Sequence, residues 1–193
     1  FSGVAADNPG VTAKIDFTVY GFHAMVFGEQ GISLTDPADD THSGYYTSHY
    51  KKDEIRQDGQ EDSRCTTVNT EPPAMHHSVD VDAKGYRVGN GHQLRTYSLA
   101  LSCSNQYAAA ATGTGTPTIA QVLSKMTTTM NRVNGVYERE LSVTMVFVAK
   151  EDTLIWTSAV SPVNGPDPFS TINSNANACL AMNQTICTDR IGT

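Results

Sequence analysis

A mixed α/β chain of the α+β kind is predicted by three observations. Residues 15–52 hold short runs in which apolar and polar side chains alternate, the period of half-buried strands. Residues 116–140 carry an apolar stripe with the 3.6-residue period of a helix. Apolar runs flank that stripe at residues 97–103 and 141–148, so the segment reads strand, helix, strand. Such a βαβ unit lays two strands parallel with a crossover helix on one face. The predicted architecture is a small antiparallel β region, then a βαβ mixed sheet with one long helix, incomplete at its C-terminal end.

Taken in order, residues 1–14 contain Gly, Asn, Pro and Asp without periodicity and read as a loose lead-in. Residues 15–20 alternate, Gly21 interrupts, and His23-Ala-Met-Val-Phe27 continues the pattern. Gly28-Glu-Gln-Gly31 reads as a hairpin turn before Ile32-Ser-Leu34. Residues 44–51 are a further, aromatic-rich strand, which gives a sheet of three or four strands. Residues 53–85 are charged and polar with a Pro-Pro pair, and read as a linker between a first region (1–52) and a second (86–193). In the long helix Ile119, Val122, Leu123, Met126, Met130, Val133, Val136 and Tyr137 share one face, with Thr116 as cap and Pro117 in the first turn. The opposite face holds Gln121, Lys125, Thr128, Arg132 and Glu138 and is expected in water. Residues 158–178 read as a long irregular loop, and residues 178–186 as a short helix.

Composition excludes several functions. A net charge of −7 without a cluster of Lys or Arg disfavours nucleic acid and anionic membrane as partners. No apolar run approaches the roughly 20 residues of a membrane span. The low charged fraction of 17%, with abundant Ser, Thr, Asn and Gly, is typical of secreted proteins, so an extracellular location is expected. The chain starts at Phe1 without a signal peptide and stops abruptly, so a processed or truncated product is expected.

The residues themselves reveal little chemistry. G-x-G-x-x-G, P-loop, C-x-x-C, H-x-x-x-H and G-x-S-x-G patterns are all missing from the sequence. His76 and His77 are adjacent, and neighbours in an extended chain point to opposite sides, which makes a poor chelate. His42 and His49 flank a strand. Asp36, Asp39 and Asp40 offer a possible calcium site, but the spacing lacks the glycine and closing Glu of an EF-hand loop. The four cysteines allow three pairings. Cys179–Cys187, eight apart in a Ser- and Asn-rich loop, is the favoured disulfide, with free buried thiols or partners beyond residue 193 as the alternative. Asn183-Gln-Thr185 is a glycosylation sequon.

Several phrases carry a resemblance. They are Tyr86-Arg-Val-Gly-Asn-Gly91, Arg95-Thr-Tyr-Ser-Leu-Ala-Leu-Ser-Cys103-Ser-Asn-Gln-Tyr107, Met126-Thr-Thr-Thr-Met130-Asn-Arg-Val-Asn-Gly-Val-Tyr-Glu138, Asp152-Thr-Leu-Ile155, Asn183-Gln-Thr-Ile-Cys187 and Ile191-Gly192. Together they resemble the opening of the catalytic domain in bacterial reprolysin-like metallopeptidases, adamalysin-related members of the metzincin clan. Residues 15–52 more weakly resemble the end of a pro-domain. The resemblance implies a secreted zinc endopeptidase, made as a zymogen, that hydrolyses protein or peptide substrates with zinc-activated water. The family binds zinc through H-E-x-x-H-x-x-G-x-x-H, a motif not found in this sequence. The resemblance therefore places the zinc ligands and catalytic Glu outside this chain, which alone is expected to be inactive. It also offers Cys65, between the two regions, as an inhibitory zinc ligand, with a disulfide or an unpaired thiol as the alternatives. The incomplete sheet is expected to pair at its edge with the remainder of its own polypeptide or with another chain. The alternative function is a non-enzymatic, secreted, β-rich interaction or assembly module with a degenerate fold of the same kind.

Overall fold

Alternating side chains need one buried face, and the first 50 residues meet that need as an antiparallel meander. The computed structural model describes residues 1–40, 43–54, 93–172 and 174–192. Its first sheet contains β1 (Ser2–Val4), β2 (Thr12–Thr18), β3 (Gly21–Gly28), β4 (Gly31–Pro37) and β5 (Tyr46–Tyr50). They lie in that spatial order, each antiparallel to the next. The predicted hairpin at Gly28–Gly31 is present, with Gly28 opposite Gly31. Gly31 has φ 112° and Gly21 φ 116°, a region that side chains disfavour, so both turns need glycine. The lead-in is partly strand, at Ser2–Val4 and from Thr12: Phe1 and Ile15 exchange hydrogen bonds of 2.7 and 2.9 Å, which fastens β1 to β2. Met25, Phe27 and Leu34 form the buried cluster of this sheet.

The predicted strand–helix–strand unit is present. β6 (Arg95–Leu99) pairs in parallel with β7 (Val143–Phe147), and α2 (Ile119–Leu141) connects them. The pairing resumes further on as a parallel bridge between Cys103 and Ile155. The helix starts two residues later than the sequence suggested. Thr118, not Thr116, is its cap: Thr118 Oγ1 accepts the Gln121 N–H at 3.2 Å and Gln121 Oε1 accepts the Thr118 N–H at 2.9 Å. This reciprocal capping box satisfies two donors that a Thr116 start would leave open.

Two helices go beyond the expectation. α1 (Asn105–Thr112) lies where none was predicted, capped by Ser104 and closed by Gly113 at φ 67°. α3 (Ala176–Ile191) covers sixteen residues, about twice the expected span. Between them residues 158–172 are irregular as expected, save for the two-residue strands β8 (Val160–Ser161) and β9 (Gly165–Pro166), while 176–178, read as the end of that loop, already belong to α3. The chain is thus an α+β protein.

Among the described residues, three buried clusters divide the interior. Val122 and Met126 of α2 pack with Cys103, Ala108 and Ile155. Leu154, Trp156, Phe169 and Ile186 form a second cluster under α3. The third is that of the first sheet, against which Val136 of α2 packs.

The polar face of α2 corrects the sequence reading, which left it in water. It lies against the first sheet. Thr128 Oγ1 and Asn131 Nδ2 donate to the two oxygens of buried Asp16, at 2.7 and 3.0 Å. Lys14 Nζ lies 2.6 Å from Glu138 Oε2, Arg132 pairs with Asp36, and Lys125 Nζ lies 2.9 Å from Asp40 Oδ1. The physical reason is complementarity: β2 and the end of β4 present carboxylates and a lysine that the helix can satisfy only with polar groups.

Gly135 allows this approach. A Cβ there would lie 3.0 Å from Lys14 Cγ and 3.1 Å from the Phe27 ring. Gly135→Val is expected to lower stability by about 1–3 kcal/mol, despite valine's better helix propensity, as read by urea unfolding. Unchanged stability would show that the sheet and helix are further apart.

Candidate functional site

Ligands of parallel layers gather at the carboxyl ends of strands, where loops and helix starts converge. Here β6 ends at Leu99 and the chain turns into α1. Ser104 Oγ accepts the Tyr107 N–H at 3.3 Å. The buried Asp167 closes the other side. Its Oδ2 accepts the Asn105 N–H and its Oδ1 the Phe169 N–H, both at 2.8 Å. A carboxylate is favoured there because the first N–H groups of a helix lack partners within it. Arg190 pins the loop from the far side. It donates to the carbonyls of Thr153 and Asn164 at 2.6 and 2.9 Å and stacks over Trp156 at 4.7 Å.

These elements leave a groove of about 460 Å³ among Leu101, Ser102, Tyr107, Phe169, Cys179 and Leu180. Leu180 is 70% exposed. The lining is apolar with hydroxyl groups and a thiol at its edges, a composition suited to holding an apolar side chain.

Two ionisable groups sit beneath this corner. Burial, and then the Asp167 carboxylate, push the Cys103 thiol up to about 12. It therefore stays protonated and donates to the Ser104 carbonyl at 3.4 Å, an inert packing group. Burial also raises Glu151 to about 7, against the opposing effect of the Leu101 N–H that its Oε1 accepts at 2.9 Å. The other oxygen, Oε2, is buried without a partner among the described residues.

The residues singled out from sequence are dispersed. Cys65, His42, His76, His77 and His92 lie outside the described residues. The expected Cys179–Cys187 disulfide is not formed, and both thiols are free. The two residues lie eight apart on the single helix α3, a rise of roughly 12 Å against the ~7 Å limit for a bridge. The expectation failed because it placed them in a loop. Cys179 Sγ donates to the Ile172 carbonyl at 3.2 Å, and both side chains pack on the cluster under α3. Asn183 of the sequon lines the groove and is half-buried. Asp36 and Asp40, considered for calcium, are each held by a cation of α2 instead. Asp36 also lies 2.8 Å from Nδ1 of buried His23, a pairing that no spacing in the sequence signals. His49 Nε2 lies 3.0 Å from Glu54 Oε1 on the exposed edge.

Among the described residues, no three His, Cys, Asp or Glu side chains gather as metal ligands. The described part of the chain does not fit a zinc centre. Likewise, no helix among the described residues is long and apolar enough to cross a membrane. Comparison with protein-family models, with curated proteins and with solved structures finds no match to this chain.

Two outcomes are expected. Because burial raises Glu151 from 4.5 to about 7, the folded protein binds its proton more tightly than the unfolded chain. Its stabilising contribution is full below 4.5 and is lost as pH rises through about 7. Glu151→Gln keeps the acceptor for Leu101 and removes this loss. The stability of the variant relative to the wild type should therefore rise by up to about 3 kcal/mol between pH 4.5 and 8. A difference that is flat with pH would contradict the burial argument. Alkylation of the denatured, unreduced protein should label both Cys179 and Cys187; protection of both as a linked pair would contradict the helix.

Proposed function

We propose that this chain is the pro-segment and N-terminal scaffold of a secreted, zinc-dependent endopeptidase. What supports the reading is the run of metzincin-like phrases between Arg95 and Ile191, which falls on the parallel strand–helix–strand unit and the helix after it. In this reading the zinc ligands and the catalytic Glu belong to the rest of the polypeptide. The metal supplies a water activated for attack on a peptide carbonyl. The residues described here supply the sheet and the crossover helix on which that centre is mounted. The groove at the end of β6, open and apolar at Leu180, suits a substrate side chain or the next layer of the same protein. The sheet of residues 1–52 acts as the pro-segment, and Cys65 is the candidate that occupies the zinc in the zymogen.

A second reading, a non-enzymatic interaction module, draws on the exposed aromatic residues beside and on edge strand β5, Tyr45 at 75% and Tyr46 at 46% exposure. An uncovered strand edge recruits partner strands.

Elemental analysis and a casein-cleavage assay on the protein encoded by the complete gene separate the two readings. The first predicts bound zinc and cleavage that a chelator abolishes and added zinc restores. It also predicts that Cys65→Ala removes the latency of the uncut protein. Absent metal with absent or chelator-insensitive cleavage would overturn the peptidase reading. Unchanged latency in the Cys65 variant would remove only the switch.

A further inference from the structure

One end of the first sheet carries a small cavity that neither reading uses. It lies where the β2–β3 turn meets the end of β4 and the start of β5, and holds about 190 Å³. A site for a drug-sized ligand takes roughly 300–1,000 Å³, so this one suits a group of a few heavy atoms. Four aromatic residues line it: Phe17, Tyr20, Tyr45 and Tyr46. Pro37 adds an apolar ring and Asp39 a carboxylate. Among the described residues that line it, none carries a positive charge.

These rings are open to solvent, and the backbone around them is fixed. Phe17 follows Asp16 along β2; Asp16 bonds to α2, so Phe17 points away from the helix and is 74% exposed. Tyr45 is 75% exposed, and its carbonyl accepts the Ala38 N–H at 2.9 Å. Tyr46 Oη accepts the Phe22 N–H at 3.4 Å, and its ring meets that of Phe22 edge-on at 6.2 Å. A Cβ on Gly21 would lie 3.1 Å from Tyr46 Oη and 3.3 Å from Pro37 Cγ, so glycine lets both close on the turn. Beside this cavity the chain already joins an ammonium, a ring and a carboxylate. Lys125 Nζ stands 3.8 Å over the Tyr20 ring and 2.9 Å from Asp40 Oδ1. The cavity offers the same rings and a carboxylate, without a cation of its own.

We propose that this cavity is a binding site for a quaternary ammonium group of the choline type. The face of an aromatic ring is negative and attracts a cation, and cages of such rings select quaternary nitrogen. A primary ammonium brings three N–H donors that walls of ring carbon leave unmet, whereas a quaternary nitrogen brings none. Asp39 adds attraction through its charge alone, and the net charge of −7 favours the approach of a cation. The site uses Tyr45 and Tyr46 as cavity walls and not as a strand edge, and it stands whether or not the protein is a peptidase.

The test titrates the whole chain with choline and with its neutral isostere 3,3-dimethyl-1-butanol, following the ligand methyl protons by NMR. Choline is expected to bind saturably with a Kd of about 1–10 mM, and the isostere about five-fold or more weakly. Phe17→Leu and Tyr45→Leu keep apolar bulk and remove one ring each. Each should weaken choline binding about three-fold or more while leaving the circular dichroism unchanged. If a variant does not fold, the comparison of choline with its isostere on the wild type decides. Sedimentation with phosphatidylcholine vesicles separates two sources of the group. Retention that free choline reverses assigns a lipid headgroup, and binding of free choline alone assigns a soluble ligand. Four results would overturn the proposal: no saturable binding of choline, equal binding of the isostere, tighter binding of N-acetyl-lysine amide than of choline, or folded ring variants that bind choline like the wild type.

Discussion

Helix α2 has to satisfy two unlike neighbours at once, and the arrangement of the chain follows from that constraint. One face presents Val122 and Met126 to the layer formed by β6, β7 and α1. Burying such side chains is worth about 1.5–3 kcal/mol each before entropy. The other face presents charges, which cannot be buried against apolar surface without several kcal/mol of cost. That cost is avoided because the first sheet brings a partner to each position. Asp16 accepts from both Thr128 and Asn131, so its two oxygens are satisfied on the helix side. Gly135 removes the Cβ that would hold Lys14 and Phe27 away.

Paired charges of this kind specify a geometry more than they add stability. Replacing a buried ion pair by apolar groups is often neutral, whereas leaving one partner alone is costly. The seam therefore sets the orientation of the sheet on the helix. It also explains the position of His23: buried on the central strand, it lies beside Asp36, which Arg132 also holds. The corner at the end of β6 is organised differently. There, neutral backbone groups meet two buried carboxylates, Asp167 with both oxygens satisfied and Glu151 with one open. Burial disfavours the charged form of Glu151 and is the origin of its raised pKa, against the opposing hydrogen bond from the Leu101 N–H.

Local patterns made the strands at residues 15–34, the Gly28–Gly31 turn and the long helix legible in the sequence. Each depends on periodicity or on backbone freedom within a few residues. The signal for α1 was present but unused. Ser104 offers a cap, and Ala108 to Ala111 are the best helix formers. The length of α3 was hidden because exposed Leu180 and the polar residues 183–185 blur the stripe through Cys179, Met182 and Ile186. Misreading that helix as a loop is what made a Cys179–Cys187 bridge look natural. The destination of the polar face of α2 could not be read at all. Lys125, Arg132 and Glu138 have the pattern of a solvated surface, and their partners lie about a hundred residues away in the chain. The candidate groove is likewise a product of tertiary contact, assembled from β6, α1, a later loop and α3.

The central claim is that two separately cored parts meet at a charged seam on α2. Native-state hydrogen exchange measures this most directly, because amides that open together report one cooperative unit. The account predicts that the amides of β2, β3 and β4 share one opening free energy and that those of β6, β7 and α2 share another. It also predicts that Asp16→Asn and Arg132→Gln lower protection at the seam without merging the two groups. A single opening free energy common to both parts, shifted equally by either substitution, would contradict it.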